Sequence, residues 1–386
     1  MRNKKLKASS GILLSSMALN ATAVEIFNNG ETDFNLNGNV SVYYLQSDQF
    51  NELNDGFSRF YFDTSHKLTN DFKAVAKLEW GVQVSNTDSL IIVNNNGLTS
   101  TGPTEDIIWL RQGYVGISNE KFGTLTLGKQ WSVTYDITGV TDVFDVFGAE
   151  ASGVYNLGTD GGYSGSGRTE QAIKYTHAVD DFTFGLQYQA TEEQLTYSGN
   201  SETPPNHPDL ILNFTNGYAF SAIYQAPYKI GLGVGYSQAN ISLARDGISL
   251  NAENINDSVV SAHITYSQLR APGLHVAVVF TDMENHETND AGDVMKSASG
   301  IEVHASYRFD NDIAPIFGYN SLKDNSSATL LKSGKFHKEY FIVGAKYHWI
   351  EDAHLYAEIK IDASTASTDD ISTPEDAIGI GMAYMF

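Results

Sequence analysis

The sequence predicts an all-β protein: a transmembrane antiparallel β-barrel of 16 strands with a long loop folded into the lumen. Three observations carry this reading. After the first two dozen residues no apolar run approaches the roughly 18 residues of a helical span, yet the chain holds 21 Tyr, 20 Phe and 34 Gly at a mean hydropathy of −0.24. Segments of about ten residues alternate apolar with polar, the pattern of a strand with one face in lipid and the other in water. Tight turns alternate with long polar loops, as when one barrel end carries short turns and the other external loops. Composition alone would leave a secreted β-sandwich or β-helix open.

Residues 1–23 begin with Arg2, Lys4, Lys5 and Lys7, continue through a short apolar run, and end in Ala21-Thr22-Ala23. That order predicts a secretory signal cleaved after Ala23, leaving residues 24–386 as a single outer-membrane barrel domain. Removing 23 of 386 residues leaves 363 and takes four basic groups, which moves the formal charge from −22 to about −26. So acidic a chain has no use for nucleic acid. With no cysteine in an exported chain, disulfide scaffolds and thiol enzymes are excluded.

Strands are predicted near residues 33–46, 57–68, 72–84, 107–118, 123–132, 168–178, 182–190, 217–226, 230–241, 257–269, 274–283, 299–309, 313–322, 338–348, 354–361 and 377–386. The stretch FSRFYFDTSHKL puts Phe60, Phe62, Thr64, His66 and Leu68 on one face and Arg59, Tyr61, Asp63, Ser65 and Lys67 on the other. Short turns fall near 119–122, 179–181, 226–229, 270–273, 310–312 and 350–353. Long loops fall near 85–105, 191–216, 242–256, 284–298, 323–337 and 362–375. In the last strand Ile378, Ile380, Met382, Tyr384 and Phe386 share one face. A terminal strand of that kind, ending on Phe386 with Tyr384 beside it, is what outer-membrane barrels present for assembly.

The connection 133–167, VTYDITGVTDVFDVFGAEASGVYNLGTDGGYSGSG, is too long to be an ordinary turn. It carries Asp136, Asp142, Asp145, Glu150 and Asp160 and no Lys or Arg, so it predicts an acidic constriction loop inside the lumen.

Several stretches together resemble the general diffusion porins of Gram-negative outer membranes, a trimeric 16-stranded family. They are VEIFNNGETDFNLNGNVSVYYLQSD, FSRFYFDTSHKLTNDFKAVAKLEW, WLRQGYVGISNEKFGTLTLGKQWSVTYD with TDVFDVFGAE, FGLQYQA, and the terminal Phe386. The resemblance implies a pore narrowed between an acidic loop and a basic wall. Matched strand by strand, the wall falls on Arg59, Arg111 and Arg168, with Lys129 as a fourth. By strand alternation Arg59 lies on a polar face, whereas Arg111 shares a face with Gly113 and Val115, so its place in the lumen rests on the resemblance. The acidic positions fall on Asp142 and Glu150. Between them the family typically has Pro-Glu-Phe-Gly-Gly and this chain has Asp145-Val146-Phe147-Gly148-Ala149, which displaces the carboxylate of Asp145 by one position.

The resemblance implies an outer-membrane channel embedded in lipid, passing ions and small hydrophilic solutes by passive diffusion, as a homotrimer whose loop 85–105 reaches a neighbour. Acidic loops and the overall charge predict weak cation preference. No metal, cofactor or enzymatic activity is expected: no His is placed with a Ser and an acid, and no H-E-x-x-H occurs. The competing readings are an oligosaccharide-specific porin, with Tyr61 and Trp131 as possible stacking residues, and a barrel with an added adhesin or receptor role.

Overall fold

The computed structural model describes residues 23–69, 71–85, 90–94, 97–101, 107–156, 164–190, 192–197, 210–245, 248–249, 255–290, 292–326, 336–367 and 375–386. Residues 1–22 of the predicted signal segment, Asp160, about half of the loop at 85–105 and all of 198–209 lie outside them. Sixteen antiparallel strands close a barrel. In order they are Thr32–Gln46, Arg59–Lys67, Lys73–Val82, Ile108–Asn119, Gly123–Trp131, Arg168–Val179, Phe182–Gln189, Leu210–Ala226, Ile230–Arg245, Ile255–Tyr266, Gly273–Glu284, Ala298–Arg308, Ile313–Asp324, His337–Ile350, Ala353–Asp362 and Ala377–Met385.

Closure runs from Asn39↔Met385 to Gln46↔Ile378. Phe386 completes it: its N–H donates to the Gly38 carbonyl at 3.0 Å, and Gly38 N–H returns a bond of 2.7 Å. Beyond Phe386 the same edge of the first strand is taken by Val24–Asn28, which pairs with residues 33–36. Val24–Asn28 and the last strand with Phe386 thus lie end to end on one edge of the first strand, which covers that backbone row among the described residues.

The two faces separate as the alternation requires. Leu125, Leu127, Ile173, Phe184, Leu186, Ile380, Met382 and Tyr384 are exposed on the outer surface, where lipid covers them at about 25 cal/mol per Å2 of apolar area. Phe60 stacks on Trp80 and Phe34 on Phe62 along this surface. Inward positions such as Thr124, Thr126, Gln130, Gln187 and Gln189 are polar and buried, because the lumen is partly filled by chain from the long-loop end. Residues 133–156 enter it, and residues 286–290 and 292–295 fold in above them, with His286–Asp290, Asp293, Val294 and Met295 buried. Short connections cluster at the other end, at 120–122, 180–181, 227–229, 267–272, 309–312 and 351–352. Asp180 and Asp312 adopt positive φ there (51° and 63°), a conformation that Asp tolerates better than most residues.

Candidate pore constriction

The inward loop leaves the Gly123–Trp131 strand through a buried helical turn, Tyr135–Thr138. The Ser132 hydroxyl accepts the Tyr135 N–H at 2.9 Å, and the Lys174 ammonium lies 3.1 Å from the Asp136 carboxylate. From there the loop follows the inner wall of the later strands. The His263 ring meets the Ile137 carbonyl at 2.7 Å, and Phe144 packs edge-on against His304. Phe147 inserts into an apolar patch of Tyr43, Leu45, Tyr340, Ile342 and Tyr356.

Two wall glycines make room for this path. A Cβ on Gly300 would sit 1.8 Å from the Ala151 carbonyl oxygen, and one on Gly318 2.4 Å from the Phe144 ring. Two wholly buried wall carboxylates then take the loop's backbone donors. Glu358 accepts the N–H groups of Asp145, Val146 and Phe147 at 2.8, 3.0 and 3.2 Å. Glu302 accepts the Ala151 N–H at 2.8 Å and the Thr141 hydroxyl at 2.5 Å. A loop backbone in a narrowed lumen needs such acceptors, since unpaired buried N–H groups are costly. Alternation in IEVHASY and AHLYAEIKID puts both glutamates on the inner face, a signal that could have found them.

The loop acids point in different directions. Asp145 is held by Lys346 at 2.6 Å and by His354 Nε2 at 2.9 Å. Burial opposes its ionisation, but the Lys346 charge and the His354 bond hold its carboxyl well below the usual range. Glu150 is paired with Lys338 at 2.8 Å. Both face the wall behind the loop. Asp142 faces the other way and accepts the hydroxyls of Tyr135 and Tyr155 at 2.8 and 2.7 Å. Burial, reinforced by the Asp142 charge, pushes both phenols well above their usual range, so they serve as donors.

Opposite the loop stands a basic wall. Arg59 is on the inner face of its strand, and its charge reaches Glu79 and Tyr135. Arg111 would point to lipid by simple alternation. A β-bulge prevents this: Glu79 pairs with Gln112 and Trp80 with Leu110, so Arg111 is the extra residue and turns inward. There its Nε donates to Glu79 Oε1 at 2.9 Å, while Gln112 donates to Oε2 at 2.6 Å and Lys77 lies 3.0 Å away. Arg168 lies over the Trp131 ring at 4.8 Å, and Trp131 stacks on Tyr135 at 3.7 Å. Tyr155 meets the same indole edge-on at 6.4 Å, which links the arginine wall to Asp142 through aromatic rings.

Lys129 is not brought to this group. It shares the outward face of Leu125 and Leu127, and its ammonium is held at 2.6 Å by Glu170. A second bulge accounts for the pair: Thr169 faces Gln130 and Ala172 faces Gly128, which leaves Glu170 and Gln171 opposite Lys129. Alternation alone would have removed Lys129 from the wall. Lys346 and Lys338 went unnoticed in the sequence because their partners, Asp145 and Glu150, are about 200 residues away in the chain.

Comparison with known proteins agrees with this geometry. The model of the Gram-negative porin family matches residues 8–367. Outer membrane protein F of Serratia marcescens is 23% identical over 385 residues, covering 95% of each chain. Outer membrane porin N of Escherichia coli is 22% identical over 405 residues and covers 100% of both. Among solved structures, Salmonella typhi OmpF in complex with daunomycin superposes with a TM-score of 0.66 at 16% identity, over 94% of this chain and 100% of that one. The Acinetobacter baumannii channel DcaP gives 0.65 at 12%, over 94% and 99%. With its closed 16-stranded barrel and a family match across nearly its whole length, the chain belongs to the Gram-negative porins, non-enzymatic channels for passive diffusion across the outer membrane.

Proposed function

We propose that this porin is a general diffusion channel for ions and small hydrophilic solutes, constricted between Asp142 with its tyrosines and the wall of Arg59, Arg111 and Arg168. The observation that supports this reading is the loop's path: its backbone is held by His263, Glu302 and Glu358 on the later strands, while the arginines stand on the Arg59–Lys67, Ile108–Asn119 and Arg168–Val179 strands. Opposed charges there create a transverse field that favours polar solutes. In this reading Asp145 and Glu150 hold the loop in place, residues 1–23 serve as the export signal, and the protein assembles as a trimer through loop 85–105.

Weak cation preference is proposed to come from the acidic exterior. Near the constriction Arg59, Lys77, Arg111 and Arg168 outnumber Glu79 and Asp142, so the narrow zone opposes a charge of about −26 on the mature chain. The balance then depends on screening. At 0.1 M salt the Debye length is about 10 Å, and at 1 M about 3 Å. Reversal potentials in planar bilayers should show cation preference at 0.1 M that fades toward 1 M. Anion preference at both concentrations contradicts the proposal.

An oligosaccharide-specific channel is disfavoured by two contacts. Lys77 lies over the Tyr61 ring at 4.0 Å, and Tyr135 and Arg168 pack on Trp131 at 3.7 and 4.8 Å, contacts that compete with sugar stacking on both rings. Liposome swelling should fall smoothly with sugar size. Saturable block by one sugar would favour the specific channel.

A further inference from the structure

The connection 267–272 is the longest described turn at the periplasmic end, and it does not stay beneath its own hairpin. Ser267, Arg270 and Gly273 have φ of 66°, 67° and 91°, and Arg308 Nη1 donates to the Arg270 carbonyl at 3.0 Å. The Arg270 guanidinium then reaches the Met385 sulfur at 3.4 Å. Met385 belongs to the last strand, five barrel neighbours beyond Gly273–Glu284. The side chain therefore crosses part of the periplasmic mouth.

Two neighbouring cations are neutralised by contact. Arg308 lies 2.8 Å from Asp312, and Lys346 2.6 Å from Asp145. Arg270 has no carboxylate oxygen within 4 Å among the described residues. Asp145, Glu351 and Asp352 act on it only through longer-range Coulomb attraction, and its one hydrogen-bond acceptor is a thioether, which is weak. Its charge also reaches His348. The His348 ring lies 5.2 Å from that of His354, which is buried with Nδ1 unpartnered.

We propose that Arg270, flanked by His348 and His354, forms an anion station at the periplasmic mouth that takes the carboxylate or phosphate group of a small solute. The inference rests on the channel reading above. A guanidinium offers several donors in a planar fork suited to such groups, and Arg270 is half-buried, with the Met385 thioether as the one acceptor on that fork among the described residues. It adds a second basic element beside Met385, separate from the arginines of the constriction.

The test uses the full-length porin in planar bilayers, with citrate as the probe added to one compartment at a time. Citrate on the periplasmic side should reduce current and add open-channel noise at lower concentration than citrate on the opposite side. Arg270→Gln should raise the half-effect concentration about tenfold, as expected for loss of a charged hydrogen bond, and Arg270→Lys by less. His348→Gln, which removes a flanking imidazole and leaves the turn intact, should raise it about threefold and stands in if Arg270→Gln fails to assemble. Equal sensitivity from both sides, or variants indistinguishable from the parent, would overturn the station. A protein that conducts but ignores citrate rejects only this site, whereas one that conducts nothing rejects the channel reading.

Discussion

Replacing Asp145 by Asn should loosen the constriction loop without altering the arginine wall. The Asp145 carboxylate bridges Lys346 and His354, with side-chain exposures of 15%, 14% and 3%, so solvent screens the contact little. Removing one partner of a buried pair costs about 3–5 kcal/mol. Asn keeps the shape and one acceptor, so the lower end, about 3 kcal/mol, is the better estimate, or roughly a hundredfold in the closed-to-open ratio of the loop tip. Glu358 still accepts three backbone N–H groups and Phe147 remains in its apolar patch, which stabilises the tip by several further kcal/mol. The loop should thus stay closed most of the time and open far more often. Single-channel recording would register this as brief excursions to higher conductance, at nearly unchanged reversal potential. Because the Asp145 pKa is depressed, its contribution is present above the ordinary carboxylate range and is lost as pH falls below about 4. Acid should therefore reproduce the flicker in the parent protein and add little in the variant. Identical dwell times in parent and Asp145→Asn would refute the assignment of Asp145 as an anchor. Adding Lys346→Met should recover part of the loss, since it removes the uncompensated ammonium.

Other perturbations read different parts of the same assembly. Gly300→Ala places a methyl group 1.8 Å from the Ala151 carbonyl oxygen; overpacking of this kind costs about 1–3 kcal/mol, and the thermal unfolding midpoint should fall while conductance changes. Arg111→Ala leaves Glu79 with Lys77 and Gln112 and removes one wall charge, so reversal potentials should shift toward cations; a shift toward anions contradicts the inward placement. His286 joins Asp257 at 2.6 Å and the Gly153 carbonyl at 2.6 Å. Burial alone would lower its pKa, but the Asp257 charge and hydrogen bond raise it to about 9. Its contribution is therefore complete below about 6.5 and is lost as pH rises through about 9. Channel noise should increase above that pH in the parent, and His286→Gln should show the noise at neutral pH.

Much of this architecture is legible in the sequence because strand alternation is local. Phe60 and Phe62 against Arg59 and Tyr61, or Ile380 and Met382 against Gly381 and Ala383, need only a period of two to assign lipid and lumen. The short turns at 180–181 and 351–352 are marked by their own residues. The site was only partly readable. Arg59 followed from its strand alone, but Arg111 depends on one extra residue in one strand pair, and a bulge inverts every face beyond it. Lys129 was placed on the wall by resemblance, although strand parity puts it on the outward face of Leu125 and Leu127.

The sequence by itself determined that the chain alternates, turns tightly at one end and carries an acidic connection at 133–167. Only the tertiary structure decided where those acids point. Asp145 meets Lys346 and Glu150 meets Lys338 across about 200 residues of chain, while Asp142 turns back to Tyr135 and Tyr155 within 13. Pairings at that separation are set by the barrel's closure and by the space left at Gly300 and Gly318, which no local pattern encodes.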